Sequence, residues 1–527
     1  MVPIDLDFEW QTISHIPAID VSILLCTDIV SYDCLLIRCD VGQVVTIDVL
    51  PDDILLTIVQ FYVAEYQYGY LIEAIPLKDL GREGESWQTL VHVCRRWRDL
   101  VFGSPRHLNL QLFCTTRTPA RETLDVWPAL PLRIKGQVSE TSVDNVIAEL
   151  KYNDRICQIE LDFDFDTSSQ FEKLWTAMQV PFPDLVGLYL SFRGLSFLPV
   201  FPDSFFGGSA PRLRHLALNH IALTELPKLL LSATHLVNIH LLYIPHSGYI
   251  SPDAMVACLS MLTSLETLEF RFYSPQSRPD LENQRSHPPA RSILPALTRF
   301  RFKGAHEYLE GLVARIDTPL LCQFSATFFN DIDFDTSELI RLVSRSSTLK
   351  APNEVYVYFG SRTTSIRLQP QASKFEYFEV CVSSRVLYWQ ISFLVQICST
   401  SLPLLFTTKE LFICERYDSN FDRKEVIKNI EWLELLLPFT AVKNLYLSKQ
   451  LARRIAPALQ EMTEDGTPEV LFTLQNLYLE GFQPSESIED GIERFISARH
   501  LTNRPVATLV WEGISIQEVR FNFNTIS

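Results

Sequence analysis

Glycine is scarce in this chain, 18 of 527 residues. None of G-x-S-x-G, G-x-x-x-x-G-K-[ST] or G-x-G-x-x-G occurs, so no loop is available to cradle phosphates or present a hydrolase serine. Paired cysteines are missing too. The 11 cysteines, at positions 26, 34, 39, 94, 114, 157, 258, 322, 381, 398 and 414, form no C-x-x-C pair. That pattern points to unbridged, mostly buried thiols in a reducing compartment. Basic residues are outnumbered, 46 Lys+Arg against 63 Asp+Glu, for a formal charge of −17. Such a surface repels phosphate backbones, so nucleic acid is not expected as a partner. Long apolar runs are absent: Ile23-Leu24-Leu25-Cys26 and the stretch Leu433 to Phe439 fall far short of the roughly 18 residues that cross a bilayer. No membrane partner is expected. The opening MVPIDLDFEW is acidic where a secretory leader needs basic residues, so an intracellular location, cytoplasmic or nuclear, is the expectation. Core material is plentiful, with 47% hydrophobic and 21% charged residues, which excludes general disorder.

Three textures follow one another. Residues 1–47 are apolar and β-branched, an extension of unknown structure without a repeat. Cys26, Cys34 and Cys39 lie close together there, but their irregular spacing and missing fourth ligand do not make a zinc site. Residues 48–103 read as a helical hairpin. Leu50-Pro51-Asp52-Asp53-Ile54-Leu55 opens a helix: proline suits the first turn, and the two aspartates complement the positive end of the dipole. Further on, Trp87, Leu90, Val91, Cys94, Trp97 and Val101 recur at steps of three and four, which predicts a second helix with one apolar face. Ser86 is its expected N-cap, and Gly103-Ser104-Pro105 its stop.

The two ends of this segment, Leu50-Pro51-Asp52-Asp53-Ile54-Leu55-x-x-Ile58 and Val91-His92-Val93-Cys94-Arg95-Arg96-Trp97, resemble an F-box, whose motif runs Leu-Pro-x-Glu-hydrophobic-Leu and then Val-Cys-Lys/Arg-Arg-Trp. Leu50 to Cys94 is about twenty residues longer than usual for that family, and the excess lies around Tyr62 to Ser86. Trp87 to Pro131 resembles F-box proteins abundant in mushroom-forming fungi, where such an insertion is common.

From 104 to 527 a strand-like template, Leu-x-x-Leu-x-Leu with conservative replacements, recurs. It starts at Ile156, Leu185, Leu213, Leu236, Leu265 and Leu297, and again at Val442 and Leu474. The spacings lie near the leucine-rich-repeat period of roughly 20–29 residues. Helix-like stretches (Pro252 to Leu262, Ser337 to Ser346, Asn429 to Leu437) fall between strands. The predicted fold class is therefore α/β: an N-terminal helical F-box-like hairpin followed by an irregular leucine-rich-repeat-like α/β solenoid. Irregularity is expected because the ninth template position, usually Asn or Cys, is Arg193, Ile221, Tyr273 or Phe482. Between 350 and 440 the template nearly disappears.

Other motifs fail on their chemistry. His306-Glu307-Tyr308-Leu309-Glu310 begins like H-E-x-x-H but ends in glutamate, which reads as a solvated helix surface. Asp162-Phe163-Asp164-Phe165-Asp166 has EF-hand spacing, yet Thr167 replaces the turn glycine and Lys173 the bidentate glutamate. It reads as a strand with one buried face, as does Asp331 to Asp335. No cofactor, metal or catalytic residue is expected.

The resemblance implies a non-enzymatic substrate receptor of a Skp–cullin–F-box ubiquitin ligase. Leu50, Pro51, Ile54, Leu55, Ile58, Val91 and Trp97 would pack against the Skp-type adaptor or within the hairpin. In the repeats, the third and fifth template positions project from the sheet opposite the core. From these, Tyr189, His215, His240, Glu269, Arg299, Arg301, Tyr446 and Tyr478 are the expected substrate contacts. The stripes Asp162-Asp164-Asp166 and Asp331-Asp333-Asp335 would extend that face. Two alternatives remain open at this level: a scaffold that has lost adaptor binding, and an α/β enzyme whose active-site residues are not consecutive.

Overall fold

The computed structural model describes residues 36–38, 44–46, 50–68, 90–104, 108, 110–117, 119–120, 124–125, 127–164, 168–193, 204–222, 226–277, 291–329, 337–346, 352–370, 375–384, 386–401, 403–415, 428–464, 470–480 and 490–511. Cys26, Cys34, Cys39, Ser86, Trp87, Phe165, Asp166, the Asp331 to Asp335 stripe and Phe482 lie outside them. The chain divides into two compact units, Met1–Gln111 and Leu112–Ser527.

In the first unit, helix α1 (Asp52–Tyr68) carries Asp52 and Asp53 in its first turn, where they complement the dipole. Helix α2 (Arg95–Gly103) ends at the expected glycine. The second helix is shorter than its periodicity predicts. Residues 91–93 form a turn, and Cys94 is extended, with φ −157 and ψ 171. The Val91 carbonyl accepts from the Arg98 guanidinium at 3.1 Å instead of from a helical amide. Side-chain spacing registers which residues are buried, and Val91, Trp97 and Val101 are. It does not register where the backbone stops spiralling.

The second unit is built on one 16-stranded sheet. Its strands in chain order are β1 (Leu112–Thr115), β2 (Leu132–Val138), β3 (Ile156–Phe163), β4 (Gly187–Phe192), β5 (His215–Asn219), β6 (Asn238–Ile244), β7 (Thr267–Phe272) and β8 (Arg299–Gly304). They continue with β9 (Gln323–Phe329), β10 (Glu354–Phe359), β11 (Thr363–Gln369), β12 (Tyr377–Ser383), β13 (Glu410–Glu415), β14 (Asn444–Leu447), β15 (Asn476–Glu480) and β16 (Ala507–Trp511). Helices connect them: α3 (Val143–Leu150), α4 (Ser168–Ala177), α5 (Leu226–Ser232), α6 (Pro252–Leu259), α7 (His306–Val313), α8 (Ser337–Arg345), α9 (Leu387–Gln396), α10 (Asn429–Leu436), α11 (Lys449–Glu464) and α12 (Asp490–Leu501). All three helix-like stretches read from the sequence are helices. α6 begins as its residues dictate: Ser251 Oγ accepts from the Ala254 amide at 3.3 Å, and Pro252 occupies the first turn.

The repeat template marks the core. Every first, fourth and sixth position of its eight copies is at most 3% exposed, packed beneath the connecting helices. Parallel strands follow one another from β1 to β9 and from β13 to β16, and α3, α4, α5, α6, α7, α10, α11 and α12 lie in the connections between them. This is the architecture of a leucine-rich-repeat-like α/β solenoid with irregular repeats.

The stretch where the template vanishes breaks this order. β9 is followed in space by β12, then β11, β10 and β13. β10 pairs antiparallel with β11, and β11 with β12, while β12 is parallel to β9 and β10 to β13. A three-stranded meander is thus inserted back to front into a parallel sheet. Both faces of β11 and β12 are largely buried, so these strands lack the open-face polarity that the template describes. No helix among the described residues is long and apolar enough to cross a membrane.

Candidate functional site

One face of the sheet carries the leucines. The other displays the third and fifth template positions, and the register makes the fifth positions a single row. Lys135, Glu160, Tyr189, Ala217 and His240 are successive partners from β2 to β6. The row continues through Glu269, Arg301, Ser325, Glu379 and Arg367. It finishes with Tyr356, Phe412, Tyr446 and Tyr478. Tyr189, His240, Glu269, Arg301, Tyr446 and Tyr478 therefore share one row, and His215 and Arg299 lie in the adjacent third-position row. The expected substrate contacts lie on one face.

The row divides into three electrostatic segments. Over β2 to β4 the charges cancel. Glu160 pairs with Lys135 at 3.2 Å and Arg133 at 3.8 Å. The expected acidic stripe is not a free surface here: Asp162 is 3% exposed and paired with Arg193 at 3.3 Å. Burial, chiefly, raises its carboxyl above the usual range, although Arg193 opposes this. Asp164 is exposed and accepts from Gln137 at 2.6 Å. The sequence pattern placed Asp162 on the correct face but could not show that Arg193, a residue of the following repeat, covers it.

Over β7, β8, β9, β12 and β11, in spatial order, the face is basic. Arg271, Arg299, Arg301, Lys303 and Arg367 stand against Glu269 and Glu379, with Arg367 and Glu379 forming a buried pair at 3.2 Å. Glu269, 5% exposed, is held by His240 at 2.9 Å and Arg271 at 2.5 Å. Burial alone would raise its carboxyl, but the His240 bond and the neighbouring cations bring it down to about 2. Glu269 thus holds basic side chains in place and, being buried, is not itself a free contact on this face. His215 is kept neutral by burial and by Arg214, so its Nδ1 accepts from the Asn238 amide at 3.0 Å. Above this row, His220 and Tyr243 adopt left-handed backbone, φ +57 and +52. Their rings stack at 4.5 Å and 7°.

Over β10 to β15 the face is aromatic. Tyr356, Phe412, Tyr446 and Tyr478 form a continuous stack, with centroids 4.5, 4.1 and 4.2 Å apart and planes within 12° of parallel. Such pairs contribute about 0.5–1.5 kcal/mol each beyond their buried area. Tyr446 and Tyr478 were legible from the template. Tyr356 and Phe412 were not, although the alternation in Glu354 to Phe359 and Glu410 to Ile413 signals strands. Their alignment with Tyr446 depends on the inserted meander, which no local pattern encodes.

In the first unit, the expected adaptor residues split by burial. Leu55, Val91 and Trp97 are 0%, 1% and 3% exposed and form the hairpin's interior with Val59 and Val101. For these three, the structure assigns packing rather than contact. Pro51 and Ile54 are exposed, Ile58 is 38% exposed beside it, and Leu50 is half-buried. Arg96 fixes this corner by donating to the Leu50 carbonyl at 2.6 Å and to Asp52 at 2.5 Å.

The H-E-x-x-E segment is helix α7, but its glutamate is not solvated. Glu310 accepts from the Glu338 and Leu339 amides at 2.8 and 3.1 Å, capping α8 of the next repeat. Among the described residues, no group of three or more His, Cys, Asp or Glu is placed to hold a metal ion, and no described cysteine forms a disulfide. No family model and no curated protein matches the chain. Among solved structures, the leucine-rich repeat-containing protein LegL7 from Legionella pneumophila is similar over 75% of this chain and 98% of that chain, at 12% identity and a TM-score of 0.26.

Proposed function

We propose that the protein is a substrate receptor that docks on a Skp-type adaptor through its N-terminal hairpin and holds a partner protein on the open face of its sheet. The observation that carries the adaptor half is the exposed apolar side of α1. Leu55 and Val59 face the interior, whereas Ile54 (44% exposed) and Ile58 (38%) stand one turn apart on the neighbouring flank about 100° around the helix, with Val93 (51%) also exposed. Large apolar side chains left in water at helical spacing mark a surface awaiting a partner. Covering the part of each that is still exposed would stabilise a complex by about 1 kcal/mol. The resemblance of Leu50-Pro51 and Val91 to Trp97 to an F-box supplies the identity of that partner. The receptor would make and break no bond. Its contribution to ubiquitin transfer would be proximity.

Co-purification of the full chain with the adaptor and a cullin tests this reading. Replacing Ile54 and Ile58 together by glutamate should abolish adaptor capture without lowering the melting temperature. Unchanged capture by that folded double variant would refute the assignment.

A further inference from the structure

The aromatic stack on β10 to β15 has an acidic border. In the third-position row beside it, Glu354 and Glu410 are direct partners on adjacent parallel strands. The row continues through Asn444 and Asn476. Asn476 donates to Asn444 at 2.8 Å, and Asn444 donates on to Glu410 at 3.5 Å. The Tyr356 hydroxyl donates a hydrogen bond to Glu354 at 2.8 Å. Neither glutamate pairs with a lysine or arginine among the described residues. Burial, and then Glu354 itself, push the Glu410 carboxyl upward, against the pull of Asn444. On the far side of the stack lies Glu480, also raised by burial. Like charges directly opposed on neighbouring strands are destabilising. This border therefore lacks a cation that would settle it.

We propose that this part of the sheet face binds an extended basic segment of the partner protein, with an arginine or lysine reaching between Glu354 and Glu410. The proposal deepens the receptor reading and rests on it for the existence of a partner. Two features select the occupant. The four rings lie against one another, so most of their faces are already occupied, and a cage that surrounds a cation with ring faces is not formed. What the stack offers is a flat run of ring edges, on which the aliphatic stem of arginine or lysine can lie. The carboxylates then provide the charge complement, and a guanidinium has enough donors to bridge two of them. An acidic segment is disfavoured here by Glu354, Glu410 and Glu480, but not over Arg271, Arg301 and Lys303. The face thus imposes a direction on a bipolar partner.

The test uses the full chain and arrayed short peptides that carry a fixed central arginine, lysine or glutamate in otherwise varied sequence. Basic peptides should be retained over acidic ones. Glu354→Gln with Glu410→Gln should weaken the best of them about tenfold, without loss of thermal stability, since a like-charge pair is removed. Arg271→Gln with Lys303→Gln should leave that affinity unchanged. Equal retention of acidic and basic peptides, or unaltered affinity in the Glu354/Glu410 variant, would overturn the proposal. Adaptor capture is measured separately. Its loss with basic-peptide binding intact refutes the ligase reading alone, and the reverse result refutes this one alone.

Discussion

At the scale of single residues, the structure separates side chains that hold the fold from those that hold tension. Leu216, Leu268 and Leu477 occupy the fourth position of their templates and are at most 1% exposed. Truncating any one to alanine should cost about 2–5 kcal/mol in denaturant unfolding, because rigid repeats collapse poorly around a void. Glu149 is the opposite case. It is fully buried in α3 and accepts from Asn145 at 3.1 Å, and burial pushes its carboxyl up to about 8 against the pull of that bond. The folded chain therefore keeps a proton that the unfolded chain releases near the ordinary value of 4.5. A raised carboxyl of this kind makes stability fall as pH climbs between those two values. Glu149→Gln should remove that fall, gaining on the order of a few kcal/mol near pH 8 and little near pH 4.5. Urea midpoints of both proteins across that window would decide it. An equal difference at both ends would show that Glu149 is not the titrating group.

At the scale of elements, contacts between successive repeats are specific as well as greasy. Glu310 of α7 takes the first free amides of α8. Glu310→Ala should cost about 1 kcal/mol and hasten amide exchange in α8 more than in α6 or α11, as hydrogen-exchange mass spectrometry would reveal. Uniform acceleration would mean that the cap serves the whole sheet instead. The same scale shows what a sequence can and cannot convey. Leu-x-x-Leu-x-Leu specifies strand, face and register together, since a slip of one residue would turn the leucines into water. That is why β3 to β8, β14 and β15, and seven of the eight expected substrate contacts as half-buried or exposed open-face residues, were legible. The helix break before α2 was not: the bond found there, from the Arg98 guanidinium to the Val91 carbonyl, leaves no trace in apolar spacing. The stacking partners Tyr356 and Phe412 were not legible either. Val355, Val357, Ile366, Leu368, Val380 and Val382 spell out strands, but which strand neighbours which is a long-range matter.

At the scale of the whole molecule, the sheet behaves as a one-dimensional stack in which each repeat leans mainly on its neighbours. Leu477→Ala should therefore loosen β14 to β16 in hydrogen exchange while leaving protection in β3 to β5 close to that of the parent protein. Simultaneous loss in both regions would show that the sheet unfolds as one cooperative block. The open face adds a global feature: charges cancel over β2 to β4, turn basic over β7, β8, β9, β12 and β11, and turn acidic beside the stacked rings. A chain with a formal charge of −17 thus keeps a cationic island amid its negative field. Salt should weaken capture of an acidic segment and of a basic segment alike, as expected of local rather than net electrostatics.

The reversed meander also governs the order of events during synthesis. In an ordinary parallel stack, each new strand meets its permanent neighbour already waiting. Here β10 emerges when the edge of β9 is vacant, yet that edge belongs to β12, which is made two strands later. β10 has the right direction and the right alternation to sit there, and it must be turned away. Until the 363–383 segment arrives and zips back along it, the nascent protein has a tempting wrong neighbour. The antiparallel hairpin of β10 and β11, local and quick to close, acts as the proofreader.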